Sequence, residues 1–323
     1  MSIRINNRLG TFARVGALLL LGLLLLPAAA RAQGDGPRAW LFAPDGINAV
    51  SLTWMELSSN YNFAGDILIP NADIDSDVEA LAYIRYFGLG GRFAQVQATG
   101  IFGGVGGTVT VPPGSGFPLP PGTYNTRRFR GFGDPIFTFR IGLAGAPALK
   151  LPEFAKHKQG AQLYGFVAVA PPLGEYEPTQ LINLGTNRWT TRIGAPVVVP
   201  LRTGRTPTYL EVVPSLTFFS TNSDVAGTAV ERTQDMLFLT EAHLTHNLTP
   251  RLWVGGDLRY QYGGETTTDG IKDDNRANAL GGGVGVGFQI ARPLGVFLTW
   301  GKVMAEDDGS RGTMWRIRMS LAF

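Results

Sequence analysis

Apolar and polar positions largely alternate along the last stretch of the chain. Counting back from the final residue, the apolar set is Phe323, Leu321, Met319, Ile317 and Trp315, and the residues between them include Ser320, Arg318 and Arg316. A period of two predicts a β-strand with two unlike faces. In an outer-membrane barrel one face meets lipid and the other meets a wet lumen. A soluble edge strand is the alternative, but a terminal aromatic residue that closes an alternating strand favours the barrel.

Similar alternation recurs upstream and predicts about twelve strands when turn residues are taken as boundaries. Their approximate positions are 46–60, 75–87, 91–104, 131–145, 160–172, 186–200, 206–221, 234–247, 250–263, 276–291, 294–303 and 312–323. Single-chain bacterial barrels usually have an even number of strands. The predicted fold class is therefore all-β, a transmembrane antiparallel up-and-down β-barrel.

The predicted connections differ in length in a regular way. Long segments at 173–185, 222–233, 264–275 and 304–311 alternate with short turns at 201–205, 247–250 and 291–293. The link at 146–159 is intermediate in length and fits this pattern least well. Long loops on one side and short turns on the other are the outer-membrane arrangement. The longest segment, 105–130, is rich in proline and is predicted to be an extracellular loop. Folding into the pore mouth is the open alternative, because Phe117 and Leu119 are costly to leave in water.

The N-terminus has the order of a secretory signal peptide. Basic residues up to Arg14 precede an apolar run from Val15 to Leu26, and Ala30-Arg31-Ala32 offers a small-residue cleavage site. The apolar run is about a dozen residues, short of the ~20 that span a bilayer, which argues against a membrane anchor. The predicted organisation is a signal peptide at 1–32, an N-terminal segment at 33–45 and the barrel at 46–323.

Composition and charge agree with an exported barrel. The chain of 323 residues has 43 glycines and only 16% charged residues, below the ~25% usual for soluble domains. It has no cysteine, so its stability must come without disulfides, and a closed barrel gains stability by pairing every backbone group. The formal charge is only +3. The chain has no dense Lys/Arg cluster that could contact a phosphate backbone, so nucleic acid is not an expected partner.

Several short motifs occur in order along the chain. They are Arg38-Ala39-Trp40 before Pro44-x-Gly46, Gly131-Phe132-Gly133-Asp134, Pro171-Pro172-Leu173-Gly174-Glu175-Tyr176 and Asn183-Leu184-Gly185-Thr186-Asn187-Arg188-Trp189. Together they resemble the elements of the MetA-pathway of phenol degradation family, a family of outer-membrane channels without an agreed substrate. The resemblance covers essentially all of residues 38–323. It implies a barrel associated with the breakdown of aromatic compounds.

Signals for catalysis and for metal binding are weak. The available histidine bases are His157, His243 and His246, and no G-x-S-x-G nucleophile elbow is present. These histidines are interpreted as lumen or interface side chains, so neither an enzyme nor a cofactor is predicted. The acidic run at 73–79 spaces its carboxylates like the opening of a calcium loop, but Val78 stands where that loop needs glycine. It is interpreted as solvated loop charge, and no metal site is predicted.

If the apolar sets face lipid, the charged residues of the predicted strands face the lumen. This set is Arg140, Glu211, Glu241, His243, Asp257, Arg259, Arg316 and Arg318. Mixed-sign charge can line a selective pore or fill a narrow barrel with salt bridges, and twelve strands enclose a narrow interior. Two functions stay open: a channel for small hydrophobic or aromatic compounds, and a structural or adhesion barrel without throughput. The expected partners are outer-membrane lipid, the barrel-assembly machinery and, for a channel, a small hydrophobic solute.

The segment 33–45 precedes the first strand on the periplasmic side. Its two prolines discourage regular pairing. It also contains three neighbouring residues that are costly to leave in water, namely Trp40, Leu41 and Phe42. The segment is therefore a candidate lumen plug, for which the glycines of the predicted tenth strand (281, 283, 285 and 287) would leave room beside one wall. A periplasmic tail is the alternative.

Overall fold

The structure is a computed structural model that describes residues 35–113, 120–225 and 229–323. Its elements are β1 (Asn48–Ser59), β2 (Ala72–Leu89), β3 (Arg92–Val111), β4 (Gly122–Phe132), β5 (Ile136–Ala144), α1 (Leu151–Phe154), β6 (Gln162–Ala170), β7 (Thr190–Gly194), β8 (Val197–Arg202), β9 (Thr208–Phe219), β10 (Arg232–Gln234), β11 (Leu237–Asn247), β12 (Leu252–Gly263), β13 (Thr266–Thr268), β14 (Ile271–Lys272), β15 (Ala277–Ala291), β16 (Leu294–Glu306) and β17 (Gly312–Ala322). The predicted signal peptide, together with Phe117 and Leu119, lies outside the described residues. No helix in the described ranges has the length and apolar character needed to cross a membrane.

The long strands form one antiparallel sheet that closes on itself. The first strand, β1, pairs with the last, β17, and β9 pairs with β11 to complete the ring. Two strands of the wall are interrupted: β4 and β5 both pair with β3, and β7 and β8 both pair with β9. Each interrupted strand counts once, so the wall has 12 strands. The barrel predicted from the alternation is confirmed.

Alternation of side chains gives the wall two different faces. On β12, Leu258 and Tyr260 are exposed outside, whereas Asp257 and Gln261 are buried inside. Outward side chains of the other strands form an apolar band that includes Leu52, Leu81, Val96, Phe137, Ile317 and Met319. An apolar band on the outer face is what a bilayer requires of a barrel.

The proline-rich segment contains more regular structure than its sequence predicts. β3 continues to Val111 and β4 begins at Gly122, and the two strands pair beyond the main barrel wall. The prediction of a loop over 105–130 is therefore wrong for most of that interval. The cause is glycine, which stands at 103, 104, 106 and 107 and weakens the alternation of side chains without removing the backbone groups that pair.

The predicted strand 186–200 begins later and is broken in two. β7 begins at Thr190 and ends at Gly194, and β8 begins at Val197. Pro196 lies in the break and has no N–H to donate to a ladder. Its carbonyl still accepts a hydrogen bond from the Tyr164 N–H at 2.9 Å, so the neighbouring strand stays attached.

The barrel interior holds two apolar clusters. The inner cluster, at the end with the short turns, contains Trp40, Phe42, Phe93, Ala146, Tyr164, Phe166, Val198 and Val213. The outer cluster, at the end with the long loops, contains Leu57, Phe63, Ala72, Ile74, Val78, Val105, Val109, Ile182, Leu184 and Met314. Both include residues that do not belong to the wall, and these residues bring two chain segments into the lumen.

Candidate functional site

The lumen carries a group of charges at the junction of β11 and β12. Glu241 stands opposite Arg259, and His243 stands opposite Asp257, in the antiparallel register. Directly opposed side chains on one face of a sheet lie close together. The His243 Nδ1 is 2.6 Å from Asp257 Oδ1, and Arg259 Nη1 is 3.3 Å from Glu241 Oε1. Register alone therefore brings four of the predicted lumen residues into contact.

Two arginines of β17 face the same region from across the glycine-rich strand. Arg316 is 1% exposed and lines, with Asp257 and Glu241, a space of about 20 Å³ in the lumen. The glycines at 281 and 283 stand opposite Arg259 and Asp257 on β12. Gly281 also lines this space, and because it carries no side chain it leaves room between β12 and β17. We name Glu241, His243, Asp257, Arg259, Arg316 and Arg318 the charge belt.

The other two predicted lumen residues, Arg140 and Glu211, lie beside the inner cluster. The Arg140 guanidinium lies 4.6 Å from the ring centroid of Phe93 and 4.6 Å from that of Tyr164. Glu211 is fully buried. A buried charge needs charged or hydrogen-bonding partners, and both residues find them in the N-terminal segment.

The N-terminal segment, residues 35–45, lies inside the lumen at its periplasmic end. The Trp40 ring centroid is 4.8 Å from that of Phe166, and the Phe42 centroid is 5.7 Å from that of Phe93. Trp40 and Phe42 are 5% and 7% exposed, and Leu41 is half-buried against the same cluster. The aromatic residues of the segment thus pack against the inner face of the barrel wall.

Two wall residues hold the backbone of this segment. The Glu211 carboxylate accepts the Arg38 N–H at 2.8 Å and the Trp40 N–H at 3.1 Å. The Arg140 guanidinium donates to the carbonyls of Ala39 at 3.4 Å and Leu41 at 3.3 Å. Buried backbone groups outside regular structure require such partners. The predicted lumen charges and the predicted plug residues are therefore one assembly.

The first described residue joins the segment to the charge belt. Asp35 accepts from Arg192 through its side chain at 3.2 Å and from Arg318 through its carbonyl at 2.9 Å. Its N–H donates to Glu241 at 3.2 Å. Arg192 has no clear signal in the sequence pattern, because the strand that carries it, β7, is short and broken.

Arg38 is a second residue that the sequence analysis did not identify as part of the site. Its guanidinium lies 4.6 Å from the Trp253 ring centroid and donates to Asn247 Oδ1 at 2.6 Å. Trp253 stands opposite Gly287, and its indole occupies the space that a side chain at that glycine would need. The pKa of Arg38 is lowered to about 10, because the effect of burial exceeds the opposing effect of the Glu211 carboxylate. The glycine positions therefore make room for a wall residue that binds the segment.

A long extracellular loop, residues 171–189, enters the lumen from the opposite end. Its Ile182 and Leu184 are each 1% exposed and pack in the outer cluster with Ile74 and Val78 of β2. We name residues 171–189 the clamp loop. It places Ile182 and Leu184 in the extracellular half of the lumen, as the N-terminal segment places Trp40 and Phe42 in the periplasmic half.

One carboxylate holds both ends of the clamp loop. Asp134 Oδ1 accepts the Gly174 N–H at 2.8 Å, and Oδ2 accepts the N–H and the hydroxyl of Thr186 at 2.8 and 2.7 Å. Gly174 and Gly185 pass so closely that a side chain on either would meet the backbone of the other. Three of the motifs that carry the family resemblance thus meet at the base of this loop.

A buried ion pair ties the clamp loop to the first extracellular loop. Arg188 Nη2 is 3.1 Å from Asp66 Oδ2, and both side chains are largely buried. The Arg188 guanidinium also lies 4.3 Å from the Phe219 ring centroid. Removing one partner of such a pair leaves an uncompensated buried charge, so the pair favours the inward position of the loop.

The remaining candidates from the sequence lie outside the lumen or at its periplasmic edge. In the acidic run, Asp77 forms ion pairs with Arg128 and Arg130 of β4. His246 shares a hydrogen bond with the Thr208 hydroxyl at 2.9 Å, and His157 contacts Phe42 from the periplasmic link. Within the three described ranges, no group of three or more acidic or histidine side chains is placed to hold a metal ion.

Comparison with known proteins agrees with this architecture. Residues 45–318 match the model of the family described as MetA-pathway of phenol degradation. No curated protein matches the sequence. The chain is similar to the solved COG4313 outer membrane channel from Pseudomonas putida F1, with a TM-score of 0.65 and 19% identity over 89% of this chain and 99% of that one. At this identity the likeness shows the fold alone.

Two other solved barrels are less similar. The beta domain of the Bordetella autotransporter BrkA has a TM-score of 0.47 and 10% identity over 86% of this chain and 100% of that one. The transport unit of the autotransporter AIDA-I from Escherichia coli has a TM-score of 0.46 and 10% identity over 96% of this chain and 97% of that one. Neither match supports a further conclusion.

Proposed function

The chain belongs to the MetA-pathway of phenol degradation family, and on that premise we propose that it is a channel for small hydrophobic or aromatic compounds that is closed at rest. Its barrel is of the Gram-negative outer-membrane type. In this proposal residues 35–45 are the inner plug, and the clamp loop is the outer closure. The charge belt lines the path between them.

One observation carries the proposal: two chain segments that are not part of the wall pack inside the lumen. Only hydrogen bonds, ion pairs and side-chain packing hold them there. Trp40 and Phe42 reach the inner cluster, and Ile182 and Leu184 reach the outer cluster. A barrel with a purely structural role needs only its own wall side chains to fill the interior. Removable segments, held by hydrogen bonds and packing, are what a gated path requires.

The solute class follows from what the segments occupy. The inner cluster accepts the rings of Trp40 and Phe42 against Phe93 and Phe166. Aromatic rings pack favourably in offset or edge contacts, so a site that accepts these side chains is complementary to a small aromatic solute when they leave. Apart from Phe63, the buried residues of the outer cluster are not aromatic, and this apolar lining favours apolar compounds over sugars or ions.

The remaining parts of the proposal concern partners and chemistry. The apolar outer band would contact outer-membrane lipid. Phe323 is 61% exposed after the end of β17, where the barrel-assembly machinery could reach it. We assign no catalytic role to the charge belt, because His243 is held between two acids and its contacts are those of a structural ion pair.

Solute entry into vesicles tests the function directly. The aromatic compound itself is expected to open the path by displacing the segments from the clusters they occupy. Proteoliposomes that contain the purified protein should therefore take up the compound faster than empty liposomes, and faster than liposomes with an equal amount of heat-denatured protein. A structural or adhesion barrel would give the same rate in all three. The rate of solute uptake therefore distinguishes the channel from a structural or adhesion barrel.

A further inference from the structure

A second cavity lies among the extracellular loops, on the outer side of the clamp loop. It has a volume of about 200 Å³. Its apolar wall is formed by Ile67, Leu68, Ile69, Val109, Leu181 and Ile182. Ile182 also belongs to the outer cluster, so the clamp loop separates this cavity from the lumen below.

The volume suits one small ring. An apolar cavity of ~150 Å³ in a protein interior is known to hold benzene, so about 200 Å³ accommodates a six-membered ring with one or two small substituents. A two-ring compound would require the loops to move. Leu68 and Ile182 are 2% and 1% exposed, and this wall favours the apolar body of such a ring over water.

The opposite wall offers hydrogen-bond donors. Arg188 lines the cavity, is 3% exposed, and its Nε has no hydrogen-bond partner within the described residues. Arg232 also lines it and donates through Nε to Thr268 at 3.0 Å. Its terminal nitrogens form no hydrogen bond with any part of the chain that the structure describes. The Arg188 Nε is a buried donor without a partner, which costs free energy, and the partly exposed Arg232 adds further donors. An occupant with an acceptor atom would therefore be stabilised here.

The acceptors of this wall are already engaged. The Asn275 amide oxygen accepts from the Thr266 N–H at 2.8 Å, and Asp273 accepts from the hydroxyls of Thr266 and Thr268. The Asn222 amide oxygen accepts from Asn187 at 2.8 Å. On this wall the free hydrogen-bonding capacity is therefore on the donor side, which favours an oxygen acceptor on the ligand.

The charges of the donor wall are balanced. Arg188 is paired with Asp66 at 3.1 Å, and Arg232 lies 3.8 Å from Asp273. With each guanidinium opposed by one carboxylate, an anionic ligand would bring an uncompensated charge into a partly buried site. An uncharged oxygen can accept the same hydrogen bonds without that cost.

We propose that this cavity binds one uncharged, single-ring molecule with an oxygen acceptor, such as a phenol or an aromatic alcohol. The apolar wall holds the ring, and Arg188 and Arg232 donate to the oxygen. As an entry site on the outer side of the clamp loop, it deepens the proposed channel function and rests on it. Binding itself requires no transport, so the two can be tested apart.

The test is isothermal titration calorimetry on the full mature barrel in detergent micelles, with p-cresol, toluene and 4-methylbenzoate as probes. Titration into empty micelles measures the heat with which each probe partitions into the detergent, and this heat is subtracted. We expect saturable one-site binding of p-cresol, weaker binding of toluene because it has no oxygen, and weaker binding of 4-methylbenzoate because it is charged. Equal binding of toluene and p-cresol, or tighter binding of the benzoate, would overturn the ligand class.

Two variants address the site itself. Ile67→Trp fills the cavity and should abolish saturable p-cresol binding. Arg232→Met keeps the side-chain stem but removes the donors, and should weaken p-cresol about tenfold while leaving toluene unchanged. Arg205→Met, in an exposed periplasmic turn, is the matched control and should bind as the wild type does.

Each result decides the proposal. Heat-modifiable migration on gels identifies variants that fold, and if Ile67→Trp does not fold, the comparison of Arg232→Met with Arg205→Met decides alone. Equal p-cresol affinity in those two variants would overturn the site. Binding without vesicle uptake would contradict the channel function only, whereas uptake without saturable binding would contradict this inference only.

Discussion

Glu211→Gln is the substitution that most directly tests how the N-terminal segment is held. The two oxygens of the Glu211 carboxylate accept the N–H groups of Arg38 and Trp40. Glutamine keeps one acceptor oxygen and replaces the other with a donor. One of the two backbone N–H groups would then face a donor inside the lumen, and the segment should leave its site more often.

The size of the effect follows from the bond that is lost. A hydrogen bond to a charged group contributes about 1.5–3 kcal/mol, and each 1.4 kcal/mol changes an equilibrium tenfold. The undocked population should therefore rise by roughly 10- to 100-fold. Because Glu211 is fully buried, water does not replace the lost acceptor, so no discount for solvent applies.

A single thiol reports the undocked population. The chain has no cysteine, so Ala39→Cys, in the segment itself, provides a unique label site whose side chain is half-buried in the docked state. When docking is fast relative to labelling, the maleimide reaction rate follows the undocked fraction. The Glu211→Gln background should label roughly 10- to 100-fold faster than the background with Glu211.

The matched control makes the same chemical change elsewhere. Glu56→Gln lies on the exposed outer face of β1 and should leave the Ala39→Cys labelling rate unchanged. Equal rates in the Glu211→Gln and Glu56→Gln backgrounds would refute the reasoning, since the carboxylate would then contribute nothing to holding the segment.

Three further predictions concern the clamp loop, the wall and assembly. Asp134→Asn removes a charged acceptor from both ends of the clamp loop and should raise the rate of amide hydrogen exchange in the loop about tenfold. An unchanged exchange rate would mean that Asp134 does not hold the loop. Leu258→Arg should lower the free energy of unfolding in lipid bilayers by about 2–4 kcal/mol if the site is near mid-membrane, and Gln261→Arg should lower it less. The reverse order would mean that the assignment of inward and outward faces is wrong by one residue. Deleting Phe323 should lower the heat-modifiable fraction in outer-membrane preparations, because it removes an exposed aromatic side chain next to β17. An unchanged heat-modifiable fraction would contradict a role of Phe323 in assembly.

Much of the wall is predictable from sequence because its physics is local. Period-two alternation marks strands whose two faces meet different media, and it gave bounds such as 250–263 for β12 (Leu252–Gly263) and 312–323 for β17 (Gly312–Ala322). It failed over 105–130, where glycines hide the alternation, and over 186–200, where Pro196 interrupts the ladder.

The site is less predictable because its contacts join distant positions. The inward direction of Glu211 and Arg140 follows from alternation, but their hydrogen bonds to residues 38–41 have no local signal. Asp134 is a similar case. It stands in a motif that the sequence analysis noticed, yet only the folded chain brings it to Gly174 and Thr186. Whether the lumen residues line a path, and whether residues 35–45 act as a plug, stay predictions.

Conductance in planar bilayers tests the central claim, that two removable segments close one path in series. The variants are a deletion of residues 34–43, a replacement of residues 178–184 by an equal length of Gly-Ser repeats, and the combination of both. Two closures in series predict that each single variant conducts slightly more than the wild type, and that the double variant conducts far more than the sum of the single increases. If the folded double variant conducts no more than the loop variant alone, residues 34–43 do not obstruct the path and the account is contradicted.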